Sequence, residues 1–144
     1  MITDRFLDQQ LDQDQIEVAL EAIAAILKVQ DLVNFAYLHG SVLRFQSAKQ
    51  SILPHDIDVA IHLAGGDWVK VELDLQFEFY RRTGLCPEVL DVHTLNNAPL
   101  SVRMEIISRG RLLFCRDILQ HADFLEKTSN LYRRLAGFFE AAYA

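Results

Sequence analysis

The chain is short of the residues that staple or interrupt a fold. Two cysteines, Cys86 and Cys115, among 144 residues make no disulfide framework and fit a reducing compartment, the cytoplasm. Three prolines and six glycines leave no low-complexity linker, and no internal repeat is visible. No apolar run approaches the ~20 residues needed to cross a bilayer. The opening stretch MITDRFLDQQLDQDQ is too acidic and polar for a secretory signal. Cations are scarce as well: 14 Lys plus Arg stand against 20 Asp plus Glu, a net charge of −6. That balance argues against direct nucleic-acid binding, which relies on neutralising phosphates. It leaves room for a nucleotide whose phosphates are carried on metal ions.

What is abundant is apolar: 51% of the residues are hydrophobic, enough for one domain over residues 1–144 with a real core. Ile16, Leu20, Ile23 and Leu27 recur at spacings of four, three and four and predict a helix over about 11–29. Asp31 and Asn34 break that pattern. The run Phe35-Ala36-Tyr37-Leu38 then reads as a buried strand closed by His39-Gly40-Ser41. Residues 42–54 are the least legible. Val42 to Phe45 are compatible with a helix start, and Gln46 to Pro54 with a polar loop.

From His55 to Leu63, Ile57, Val59, Ile61 and Leu63 alternate with Asp56, Asp58, Ala60 and His62, which predicts a strand with one apolar face. The segment 68–80 fits two periods. Val69, Val71, Leu73, Leu75, Phe77 and Phe79 alternate as in a strand. Lys70, Asp74, Glu78 and Arg81 form one polar stripe of a helix, with Asp67 as N-cap and Gly84 as C-terminal stop. A strand of that length would be unusual, so a helix is expected, apolar over most of its circumference and wedged between a sheet and another layer. Further candidates are a strand over 88–95, a helix over 100–109 between Pro99 and Gly110, a strand over 111–115, and a helix over about 122–142. Strands alternating with helices imply a sheet covered by helices, an α/β or α+β fold.

The chemistry gathers on acids. Asp56 and Asp58, two apart on a strand, leave the same face with Cα atoms about 6.5–7 Å apart. Carboxylates aimed at one spot repel unless a cation sits between them, and hard, oxygen-seeking Mg²⁺ is the natural cation. Asp91 lies on another strand. If the two strands are neighbours, Asp91 joins the cluster, and three carboxylates suffice for two divalent ions that assist an in-line displacement at phosphorus. Gly40-Ser41 adds a turn whose backbone amides and hydroxyl suit phosphate oxygens.

In this ordered combination the chain resembles the polymerase-beta-like nucleotidyltransferases. Gly40-Ser41, Asp56-Ile57-Asp58-Val59-Ala60 and Asp91-Val92 match that superfamily's signature. The size and element order resemble its minimal branch, the MNT proteins, over about residues 11–115. The resemblance implies a mixed β-sheet with flanking helices and Mg²⁺-dependent transfer of a nucleoside monophosphate from a triphosphate such as ATP. It implies metal binding by Asp56 and Asp58, and metal binding or activation of the acceptor hydroxyl by Asp91. Triphosphate contacts fall to Gly40 and Ser41, and Arg44 is placed to reach a phosphate. Many MNT proteins are antitoxins paired with HEPN toxins, which makes a tyrosine of such a toxin the expected acceptor. A binding-only antitoxin and transfer to a small molecule are the alternatives. The chain departs from the family pattern in the fourteen residues between Ser41 and Asp56, in His39 where an apolar residue is usual, and in His55 where a Ser is usual.

Other residues are expected to play bland parts. His39, His55, His62 and His93 match no zinc spacing and are expected in core or surface roles, with His62 and His93 eligible to lie on the carboxylate face. Lys127, Arg133 and Arg134 read as a solvated helix face. Phe124, Leu131, Phe138 and Phe139 read as core, and Trp68 as a core anchor beside the helix cap.

Overall fold

A computed structural model describes residues 11–40, 42 and 56–143. The described elements are α1 (Gln13–Val29), β1 (Val33–His39), β2 (Ile57–Leu63), α2 (Trp68–Thr83), β3 (Leu90–Thr94), α3 (Leu100–Arg109), β4 (Arg111–Cys115) and α4 (Ile118–Tyr143). The four strands form one mixed sheet in the order β3-β2-β1-β4. β1 runs antiparallel to both β2 and β4, whereas β2 and β3 are parallel. This is the mixed sheet with flanking helices that the resemblance implies.

The two faces of the sheet bury different things. Ile57, Val59, Ile61, Leu38 and Val92 point to one face, where α1 supplies Ile16, Ile23 and Leu27 and α2 supplies Val71, Leu75 and Phe79. Each fully buried aliphatic or aromatic side chain there contributes roughly 1.5–3 kcal/mol. On the other face a smaller cluster joins Phe35, Tyr37 and Ala60 to Leu95, Ile106 of α3 and Phe124 of α4. Helix α2 begins as the sequence predicts, and α1 begins at Gln13, two residues later than expected. Asp12 closes a capping box with Gln15, each side chain bonding the other's backbone N–H at 2.8 and 2.9 Å. Asp67 caps α2, which ends at Gly84 in the left-handed conformation, φ 73°. Only Gly adopts that conformation without strain.

The structure corrects several expectations. The helical pattern does end before Asp31 and Asn34, but β1 starts at Val33 rather than Phe35, so Asn34 lies inside the strand, buried at a bulge between Val33 and Phe35. Its amide reaches His62 Nδ1 at 3.2 Å, and its carbonyl accepts the N–H groups of Arg116 and Asp117. β2 begins at Ile57, with Asp56 one residue ahead of it. Helix α2 is confirmed, yet Val69, Leu73, Phe77 and Tyr80 are exposed, so only one of its sides is buried. Helix α4 begins at residue 118 because Asp117 accepts the N–H of Gln120 at 3.0 Å. Over its 26 residues the helix outruns the sheet. Phe124 is core as expected, but Leu131, Leu135, Phe138 and Phe139 are exposed. Trp68 packs against the main core while partly exposed. Apart from buried Val42, residues 41–55 lie outside the described residues.

Candidate functional site

The small cluster under α3 and α4 leaves one end of its sheet face open, and the acids sit there. In the parallel register of β2 and β3, Asp58 is the partner of Asp91. In the antiparallel register of β1 and β2, Asp58 is the partner of His39. Neighbouring strands lie about 4.8 Å apart, so His39, Asp58 and Asp91 form a row across three strands. Asp56 approaches from the residue just before β2, and its carboxyl is hydrogen-bonded to that of Asp58.

Electrostatics follow from this crowding. Asp58 is pushed up to about 7, first by burial, then by its hydrogen bond to Asp56 and by the charges of Asp56 and Asp91. Carboxyls this close share a proton when no cation compensates them. His39 is pushed down to about 4, mainly by burial and then by His93, although Asp56 and Asp91 act the other way. The two imidazoles meet with Nε2 atoms 3.2 Å apart and rings nearly perpendicular. His93 Nδ1 lies 3.5 Å from Asp91 Oδ2.

The Gly40 turn closes the site. Its φ of +91° is one that L side chains rarely adopt. A Cβ at this position would collide with the Asp58 carboxylate and stand 3.5 Å from Asp56 Oδ2. The turn's backbone therefore lies directly against both acids. Beside it a cleft of about 370 Å³ runs between His39, Gly40 and the α3 residues Val102, Glu105, Ile106 and Arg109. Arg109 brings a cation to this wall and was not singled out from the sequence. Its nearness to Gly40 depends on β4 pairing with β1, Leu38 with Arg111, a long-range relation that no local pattern encodes. At the corner between α3 and β4, a Cβ on Gly110 would clash with the Ile106 carbonyl and press on that of Leu38 at 3.2 Å.

Of the residues nominated from sequence, Asp56, Asp58, Asp91 and Gly40 come together. Ser41, Arg44 and His55 lie outside the described residues. His93 is on the carboxylate face as allowed for. His62 shares that face but is held away, stacked on Phe35 at 4.7 Å and against Phe124. His39, expected in a core or surface role, is half-buried and stands in the acidic row.

Among the described residues no group of three or more His, Cys, Asp or Glu side chains forms a ready-made metal site. The donor set nevertheless fits a hard divalent cation: carboxylate oxygens crowded from two adjacent strands, and a glycine cradle with no room for a side chain. No described helix is long and apolar enough to cross a membrane.

No curated protein matches the sequence significantly. Among solved structures, a chain of the MntA-HepT toxin–antitoxin complex is similar at 18% identity with TM-score 0.61, over 88% of this chain and 94% of that one. A chain from the Shewanella oneidensis complex of a tri-AMPylated HEPN toxin with MNT antitoxin is similar at 19% identity with TM-score 0.61, over 88% of this chain and 93% of that one. A toxin–antitoxin structure with AMP-PNP is similar at 19% identity with TM-score 0.60, over 92% of this chain and 95% of that one. These likenesses establish a shared fold. The profile of the polymerase beta nucleotidyltransferase family matches residues 21–119, and the chain belongs to that family.

Proposed function

We propose that residues 1–144 form one cytoplasmic nucleotidyltransferase domain that moves AMP from ATP to a tyrosine hydroxyl of a cognate HEPN toxin, and so acts as an antitoxin. The observation that carries this reading is the pairing of Asp58 with Asp91 across β2 and β3, with Asp56 and the Gly40 turn against them. The similar complexes support it, one with a tri-AMPylated HEPN toxin and one with AMP-PNP.

In this reading Asp56, Asp58 and Asp91 would hold two Mg²⁺ ions. When bound, Mg²⁺ neutralises triphosphate charge and stabilises the departing pyrophosphate. The backbone of the Gly40 turn and Ser41 would seat the triphosphate tail. Arg109, and Arg44 from the connection, would add positive charge. The acceptor oxygen bonds to the α-phosphorus as the bond to the bridging oxygen breaks. The hydroxyl proton passes to the Asp91 carboxylate, and pyrophosphate leaves.

The test uses ATP labelled at either the α- or the γ-phosphate, incubated with Mg²⁺, this chain and its toxin partner. Transfer of the α-label alone to the toxin supports the reading. Transfer of the γ-label, or of neither, refutes it. The second reading is a binding-only antitoxin, favoured by the exposed apolar half of α4, where Phe138 is 65% exposed. Neutralisation of the toxin without label would establish it.

A further inference from the structure

We propose that His39 and His93 form a positioning relay that fixes the carboxylate of Asp91. This inference rests on the nucleotidyl-transfer reading of the same site. The geometry is specific. β1 and β3 are not neighbours, since β2 lies between them. The two imidazoles nevertheless meet over β2, with Nε2 atoms 3.2 Å apart and centroids 4.9 Å apart. Ala60, the partner of His93 in register, presents only a methyl group on that stretch of β2, which leaves space for the contact.

Two neutral imidazoles bond Nε2 to Nε2 only if one donates and the other accepts. His93 Nδ1 faces Asp91 Oδ2 at 3.5 Å, and an ionised carboxylate only accepts. His93 therefore carries its proton on Nδ1, directed at Asp91, and its bare Nε2 accepts from His39 Nε2–H. The chain of contacts runs His39 to His93 to Asp91. It anchors a carboxylate that is otherwise half-exposed, much as outer-shell partners fix the orientation of a metal-ligating group. His93 lies outside the cleft that seats the triphosphate, and His39, which lines that cleft beside Gly40, acts on Asp91 only through His93. They are positioning residues acting through Asp91.

The deciding experiment reads imidazole tautomers directly. Long-range ¹H–¹⁵N correlation on the uniformly labelled full chain, without nucleotide, is expected to show His93 protonated on Nδ1 and His39 on Nε2. His93 protonated on Nε2 would overturn the relay. Substituting Asp91→Asn should weaken the His93 preference, and an unchanged preference would contradict the proposal. A kinetic arm follows. His93→Leu is expected to lower kcat about 10–100-fold with KM for ATP unchanged, whereas His93→Asn, which keeps a donor near the Nδ1 position, restores most of it. Equal losses in Leu and Asn would indicate a packing role and overturn the relay. If His93→Leu fails to fold, His39→Leu against His39→Gln repeats the comparison at the other ring. Absence of transfer by the wild-type chain would remove the proposed function, while the tautomer measurement still decides the relay.

Discussion

Asp58 on β2 and Asp91 on β3 are register partners in the one parallel strand pair described in the sheet. Side chains at paired positions leave the same face, so the two carboxylates stand side by side although 33 residues apart in sequence. Replacing either with Asn removes a charge while preserving shape. Asp58→Asn is expected to abolish AMP transfer and to leave the circular dichroism spectrum unchanged. Asp91→Asn should weaken transfer at least as strongly as the His93 variants. Calorimetric titration with Mn²⁺ checks the binding side, with both variants binding more weakly than wild type.

Stability against pH carries the mark of Asp58. Its carboxyl sits near 7 when folded, above the ordinary 3.8. A raised carboxyl contributes stability below its unfolded value and loses it as pH climbs through the folded one. His39, lowered from 6.5 to about 4, works in the opposite sense: its contribution is present above 6.5 and lost as pH falls toward 4. Without divalent ions, the difference in melting temperature between wild type and Asp58→Asn should therefore shift against wild type as pH rises from 4 to 7. Added Mg²⁺ takes the place of the shared proton, so it should raise the wild-type Tm more at pH 8 than at pH 5. Scanning fluorimetry with and without Mg²⁺ reads both.

The glycine at position 40 is expected to be irreplaceable. Gly40→Ala meets a strained φ of +91° and drives a methyl group into the Asp58 carboxylate. The backbone cost alone is about 1–3 kcal/mol. Chemical denaturation should show that loss, and transfer should fall below detection even at temperatures where the variant stays folded.

Much of this was legible in the sequence for simple reasons. Ile57 to Leu63 alternates with period two, and α2 carries a polar stripe with period 3.6, Asp67 before it and Gly84 after it. Caps and periods are local. What escaped was non-local or counted against a rule. The strand start at Val33 escaped because polar Asn34 is unusual in a buried strand, where His62 and the bulge satisfy it. His39 looked incidental until β1, β2 and β3 were laid side by side. The apolar residues of α4 read as core in the sequence because hydrophobicity does not reveal that a 26-residue helix extends past its sheet.

Arg116 supplies a structural test independent of the chemistry. Its guanidinium donates to the carbonyls of Leu27, Lys28 and Val33 at 3.1, 2.8 and 3.1 Å, closing the C-terminal end of α1 onto the start of β1. Arg116→Ala should cost about 1–3 kcal/mol in urea unfolding. Lys in its place should not restore it, since an ammonium lacks the planar fork that serves several carbonyls at once. AMP transfer below the melting temperature should remain at the wild-type rate.

Along the exposed half of α4, Leu135→Glu and Phe138→Asp should change the stability of the isolated chain by no more than about 0.5 kcal/mol. If that face contacts the toxin, the same substitutions lower affinity for it in calorimetry. Unchanged affinity would place the contact elsewhere.

The most direct measurement is the intact mass of the toxin partner after incubation with ATP, Mg²⁺ and either wild-type chain or Asp58→Asn. One or more added AMP groups are expected with wild type and none with the variant. An unmodified toxin in the wild-type reaction, or equal modification in both, would contradict this expectation.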